Sequence, residues 1–109
     1  LLLAAGAHAG NYLGRWVVVV DEDIDPSNLF DVNWAMNTRC DPAEDIDIVR
    51  GTWSGALDPR KRVGDNLNSR ALVDACRPFE WIEDFPHVAE SSPELMQATI
   101  DKWGHLLDD

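Results

Sequence analysis

The sequence predicts an α/β domain: a small three-layer unit with a βαβ element, a mostly parallel sheet and a C-terminal helix. Three stretches carry that reading. Val17 to Val20 form an unbroken β-branched run, which suits a strand buried on both faces, as in a parallel sheet covered by helices. Asp25-Pro26 then reads as a helix start, and Asp45 to Arg50 (DIDIVR) alternates polar and apolar residues as a strand does. Strand, helix and strand in so short a span make a βαβ unit with a right-handed crossover. Ser91-Ser92-Pro93-Glu94 opens the last helix by the same logic of a capping side chain followed by proline.

In chain order, residues 1 to 9 are rich in Leu and Ala and favour a helix, which Gly10 and Asn11 would end. Arg15 to Val20 is the first strand. Asp25 is placed to cap a helix running to about Thr38, with Pro26 at its first position, where a missing N–H costs nothing. Leu29, Val32 and Met36 fall on one face of that helix, and Phe30 and Trp34 widen it. Cys40-Asp41-Pro42 ends it, and Asp45 to Arg50 is the second strand. Gly51 to Asn68 reads as one long loop, of the kind that tends to be functional or mobile. Arg70 to Cys76 forms a third strand. Pro78 to Pro86 is irregular and aromatic, and Leu95, Met96, Thr99, Ile100, Trp103 and Leu107 stripe the last helix.

The chain has 109 residues, which fits a single domain over 1–109. Its net charge is −11, from 20 acids against 9 bases, which argues against nucleic acid or an anionic membrane surface as partner. The one basic cluster, Arg60-Lys61-Arg62, reads as solvated loop charge. Five tryptophans (Trp16, Trp34, Trp53, Trp81 and Trp103) exceed what one small core covers and point to an interface. Cys40 and Cys76 lie in no zinc or redox spacing and read as reduced thiols of a cytoplasmic protein. No apolar run is long enough to span a membrane. The opening LLLAAGAHAG lacks the basic flank of a leader and is expected to begin partway through a helix of something longer.

Asp21, Asp23 and Asp25 share the first three ligand positions of a calcium loop, but Pro26 stands where Gly is required and Val32 where Glu is required. An apolar strand ending in Asp-x-Asp also suits a magnesium-dependent phosphoryl-transfer site. The glycine-rich loop, lysine and Ser/Thr such a site needs do not follow. These acids therefore read as holding backbone amides or basic side chains. His8, His87 and His105 lie in separate segments without zinc spacing, and no nucleophile motif is present. No catalytic residue and no metal ligand is assigned to the chain.

More specific are Asp21-Glu22-Asp23-Ile24-Asp25, Val32-Asn33-Trp34-Ala35 and Thr38-Arg39-Cys40-Asp41-Pro42, followed by Leu57-Asp58-Pro59 and Val73-Asp74-Ala75. In this order the blocks resemble the C-terminal domain of the UbiD-like decarboxylases across essentially the whole chain. The resemblance implies part of a non-oxidative decarboxylase of aromatic or α,β-unsaturated carboxylic acids. It further implies prenylated FMN with manganese and potassium in the parent enzyme, and none of these bound to this chain alone.

The family's catalytic Glu-Arg-Glu set and metal ligands belong to a larger N-terminal part, so this chain is expected to be inactive by itself. It would contribute oligomer contacts through the C-terminal helix and would close the active site beside the cofactor-binding domain. The resemblance places Arg15 near the cofactor phosphate, where lysine is more usual, and Leu57 at the substrate pocket. It makes Asp21 and Asp23 scaffold, with Arg39 pairing with one of them. The alternatives are a stand-alone module binding a divalent cation through Asp21 and Asp23, and a small accessory subunit.

Overall fold

The structure, a computed structural model, describes residues 15–107. The elements are β1 (Trp16–Val20), α1 (Leu29–Arg39), β2 (Ile46–Trp53), β3 (Leu67–Ala75), a 3₁₀ segment (Phe79–Asp84), α2 (Pro93–Trp103) and a final 3₁₀ turn (Gly104–Leu106). The helix expected over residues 1 to 9 lies outside the described residues.

The α/β class holds; the mostly parallel sheet needs correction, and so does the strand buried on both faces, since Val17 to Val20 are only half-buried at the sheet's edge. The strands lie in the order β1-β3-β2, with β3 in the centre. β1 runs parallel to β3, Trp16 opposite Ala71 through Val20 opposite Ala75. β2 runs antiparallel to β3, with Ile46 opposite Val73. The βαβ unit is therefore not β1-α1-β2, because those strands never pair and point in opposite directions. The parallel crossover joins β1 to β3 and contains both α1 and β2. The misreading has a physical cause: alternation identifies a strand, but it carries no information about the partner that strand will choose.

The centre of the sheet is the buried run Ala71, Leu72, Val73 and Ala75, and Val73 is fully enclosed. Burying a valine side chain contributes about 1.5–3 kcal/mol. α1 packs on this sheet through Ala35, which with Ile24 and Ala75 forms a small core bordered by Val18, Val20, Val32, Trp34, Met36 and Cys40. Among the described residues, α1 is the helix that covers the sheet, since α2 buries none of its residues.

Two boundaries moved for identifiable reasons. α1 begins at Leu29, and its cap is Asn28, whose Oδ1 accepts from the Phe30 amide at 3.0 Å. Asp25 instead accepts from the amide and hydroxyl of Ser27 at 2.9 and 2.7 Å. Asp25-Pro26 thus forms a turn, closed by the Asn28 amide donating to the Asp25 carbonyl at 3.1 Å. β2 runs past Arg50 to Trp53 through a register shift between Val49 and Thr52, where Gly51 has φ +71°. That left-handed conformation suits glycine, so Gly51 makes a bulge where it was expected to end the strand. The loop shortens to residues 54–66.

Candidate functional site

Two polar clusters organise the surface around the sheet. The first is the acidic turn after β1. Arg39, the last residue of α1, is 4% exposed. Its guanidinium donates from Nη1 to Asp21 Oδ2 and Asp23 Oδ1, both at 2.8 Å, and from Nη2 to Asp23 Oδ2 at 2.7 Å. Arg77 adds its amide and Nε to Asp21 Oδ2, at 2.9 and 3.1 Å. The Arg39 hydrogen bond holds Asp23 below the ordinary carboxylate range, and Asp23 in turn raises Arg39. Arg39 also lies over the Trp34 ring, 5.3 Å from its centroid.

This arrangement ties the end of β1 to the end of α1 and to the segment after β3. The expected pairing of Arg39 with one acid is found with both. Engagement by guanidinium opposes the cation-site alternative. Among the described residues, no group of three or more His, Cys, Asp or Glu is arranged to hold a metal ion.

The second cluster centres on Asp58, which is buried at 7% exposure in the β2–β3 loop. Its Oδ2 accepts from Ser54 Oγ and from Asn68 Nδ2, both at 2.6 Å. Its Oδ1 accepts from the Arg60 amide at 2.9 Å and forms an ion pair with Arg15 Nη2. These donors, the Ser54 hydroxyl and then the Arg15 guanidinium foremost, hold Asp58 far below the usual carboxylate range. Asp58 therefore fastens the entry of β1 to the loop that joins β2 and β3.

Next to it opens a cleft of about 460 Å³, lined by Arg15, Arg60, Lys61, Arg62, Asp65, Leu67, Asn68 and Ser69. Four of the chain's nine basic residues meet there. Two consecutive turns fold the basic run back on itself. The Lys61 amide donates to the Asp58 carbonyl at 3.3 Å and the Asp65 amide to the Arg62 carbonyl at 3.0 Å. Gly64, at φ +84°, permits the second turn.

Of the residues expected at a site, Arg15 lies in this cleft. Leu57 is 80% exposed and stands outside the cleft. The cluster read as solvated loop charge, Arg60 to Arg62, lines the cleft beside Arg15. Asp58, Ser54 and Asn68 were missed as a network. The available signal was Asp58 itself, the loop acid that a proline follows, among several side-chain donors. Neither thiol suits nucleophilic chemistry near neutral pH. Burial raises Cys40, and burial with the Asp74 hydrogen bond pushes Cys76 up to about 12.

Comparison with known proteins supplies the remaining context. The family described as 3-octaprenyl-4-hydroxybenzoate carboxy-lyase C-terminal domain matches residues 1–75. A phenolic acid decarboxylase of Sedimentibacter hydroxybenzoicus is 37% identical over 62 residues, 57% of this chain and 13% of that protein. An anhydromevalonate phosphate decarboxylase of Methanothermobacter thermautotrophicus is 39% identical over 77 residues, 71% of this chain and 18% of that protein. The structure of the UbiD-class enzyme HmfF from Pelotomaculum thermopropionicum in complex with FMN superposes with a TM-score of 0.63 at 30% identity. That match covers 82% of this chain and 19% of HmfF. The chain spans less than a fifth of the length of each of these relatives.

Proposed function

The chain belongs to the UbiD family of decarboxylases, as its C-terminal domain, and from that premise we propose that it serves as the oligomerisation and lid domain of a non-oxidative decarboxylase. The substrate class is aromatic or α,β-unsaturated carboxylic acids. The domain works beside a cofactor-binding domain, carried on the same polypeptide or supplied as a separate chain. The observation that carries the reading is the position of Arg15. It enters β1 at the mouth of a basic cleft and is aimed there by buried Asp58.

The cofactor of the parent enzyme is prenylated FMN, with manganese and potassium, and the donor set here fits one part of it. The cleft offers guanidinium and ammonium groups to a phosphate. The metal would be held by the companion domain. When bound, the flavin supplies the carbon–carbon bond chemistry, and the protein supplies binding, orientation and charge. Arg15 binds and orients the cofactor phosphate. Leu57, exposed on the same loop, gives an apolar wall to the substrate pocket when the domain closes. α2 brings an uncovered apolar stripe of Leu95, Met96, Ile100 and Trp103 to a second copy.

The test pairs this chain, covalently or in trans, with a UbiD-class cofactor domain loaded with prenylated FMN, and follows CO₂ release from phenolic and α,β-unsaturated acids. Activity is expected only when the chain is present. Arg15→Gln is expected to raise the flavin dissociation constant about tenfold, the loss of one charge-assisted contact. No CO₂ from any of these acids, with the flavin retained equally with and without the chain, would overturn the reading.

A further inference from the structure

The β2–β3 loop holds an unusual concentration of charge for this protein. Acids outnumber bases 20 to 9, so carboxylates are available to pair with every cation. Arg15, Arg39 and Arg77 all have such partners. Among the described residues, the Arg60 and Arg62 side chains have none. Lys61 reaches only the neutral Asn66 Oδ1, at 3.3 Å. The one carboxylate on the cleft wall, Asp65, already accepts from the Leu67 amide at 2.9 Å and starts β3. Like charges gathered around one open concavity, where Arg60 and Arg62 are exposed and Lys61 is half-buried, repel one another and raise the local positive potential. An anion relieves that repulsion.

We propose that the β2–β3 loop is a phosphate-binding element: Arg60, Lys61 and Arg62, brought beside Arg15 through Asp58, receive the phosphate of a small phosphomonoester in the cleft. The space of about 460 Å³ falls in the range of small-molecule sites. Guanidinium forks match the oxygens of a phosphate group, and Asn68 and Ser69 add neutral hydrogen-bonding groups to the wall. No aromatic ring lines the cleft and Leu67 is its one apolar residue, so it grips the charged end of a ligand and leaves the remainder outside. The inference rests on the reading of Arg15 given above and adds three residues to it. The phosphate belongs either to a bound flavin mononucleotide or to a phosphorylated substrate.

Isothermal titration of the protein with inorganic phosphate, FMN and riboflavin tests it. Phosphate and FMN are expected to bind and riboflavin not to, with affinity falling as salt rises. Equal affinity for phosphate and FMN assigns the cleft to any small phosphate ligand; tighter FMN assigns it to the flavin. The variant Arg60→Gln/Lys61→Gln/Arg62→Gln changes only loop side chains, and its melting profile checks that it folds. It is expected to weaken phosphate at least about tenfold. Unchanged phosphate affinity in that variant overturns the inference, and so does loss of self-association in its place. If Arg15→Gln alone abolishes binding, the Arg15 reading survives without this one. If the triple variant alone does so, the loop site stands and the Arg15 reading falls.

Discussion

Asp58 and Asp23 are expected to shape the protein's response to acid. Both are held below the ordinary aspartate value of 3.8 by donors present only in the folded chain. A carboxylate depressed by folding stabilises the fold fully above its unfolded value, and that contribution disappears as pH falls through the folded value. Chemical denaturation is therefore expected to give constant stability from neutral pH to about pH 4, then a decline. Asp58→Asn should lower the plateau and flatten the decline; an unchanged acid profile would show that the Asp58 network adds no stability. At this scale the sequence was partly legible. Arg39 could be matched to the acids because a cation at the end of α1 faces an acidic turn. Asp58 was obscured because its donors, Ser54, Asn68 and Arg15, are gathered by tertiary structure.

The elements were legible in kind, less so at their edges and in their pairing. Asp25-Pro26 satisfies a helix start and a β-turn equally well, because proline's fixed φ suits both positions. What decides is the next competent side chain, Asn28, which reaches the Phe30 amide. Replacing a working cap costs about 1 kcal/mol. Asn28→Ala is expected to destabilise the protein by that amount in urea denaturation, and Asp25→Ala by clearly less. The reverse order would restore Asp25 as the cap. Ser92-Pro93 shows the same signal read correctly, since Ser92 accepts from the Leu95 amide at 3.2 Å and Pro93 opens α2. The direction of β2 was beyond local pattern, because alternation names no partner; the Gly51 bulge hid only the strand's continuation to Trp53.

As a whole the protein is extended, with a radius of gyration of 19.4 Å against about 13 Å for a compact domain of 100 residues. Its apolar surface is only partly enclosed: Trp16, Trp53, Trp81 and Trp103 are each about half exposed or more. The tryptophan surplus signalled this from composition alone. Trp103→Ala is expected to weaken self-association at least about fivefold in light scattering, as loss of an interfacial aromatic does. A monomer at high concentration in the unsubstituted protein would remove α2 from that role. The sheet order also bears on how the chain acquires its fold. β2 and β3 are neighbours in sequence and can zip together early, whereas β1 must wait for a partner that is synthesised long after it. During that delay Val17 to Val20 is a bare, sticky edge of the kind that recruits other chains. The acidic turn immediately behind it, Asp21 to Asp25, is a like-charged guard against such association before β3 arrives and along the edge that β1 keeps afterwards among the described residues.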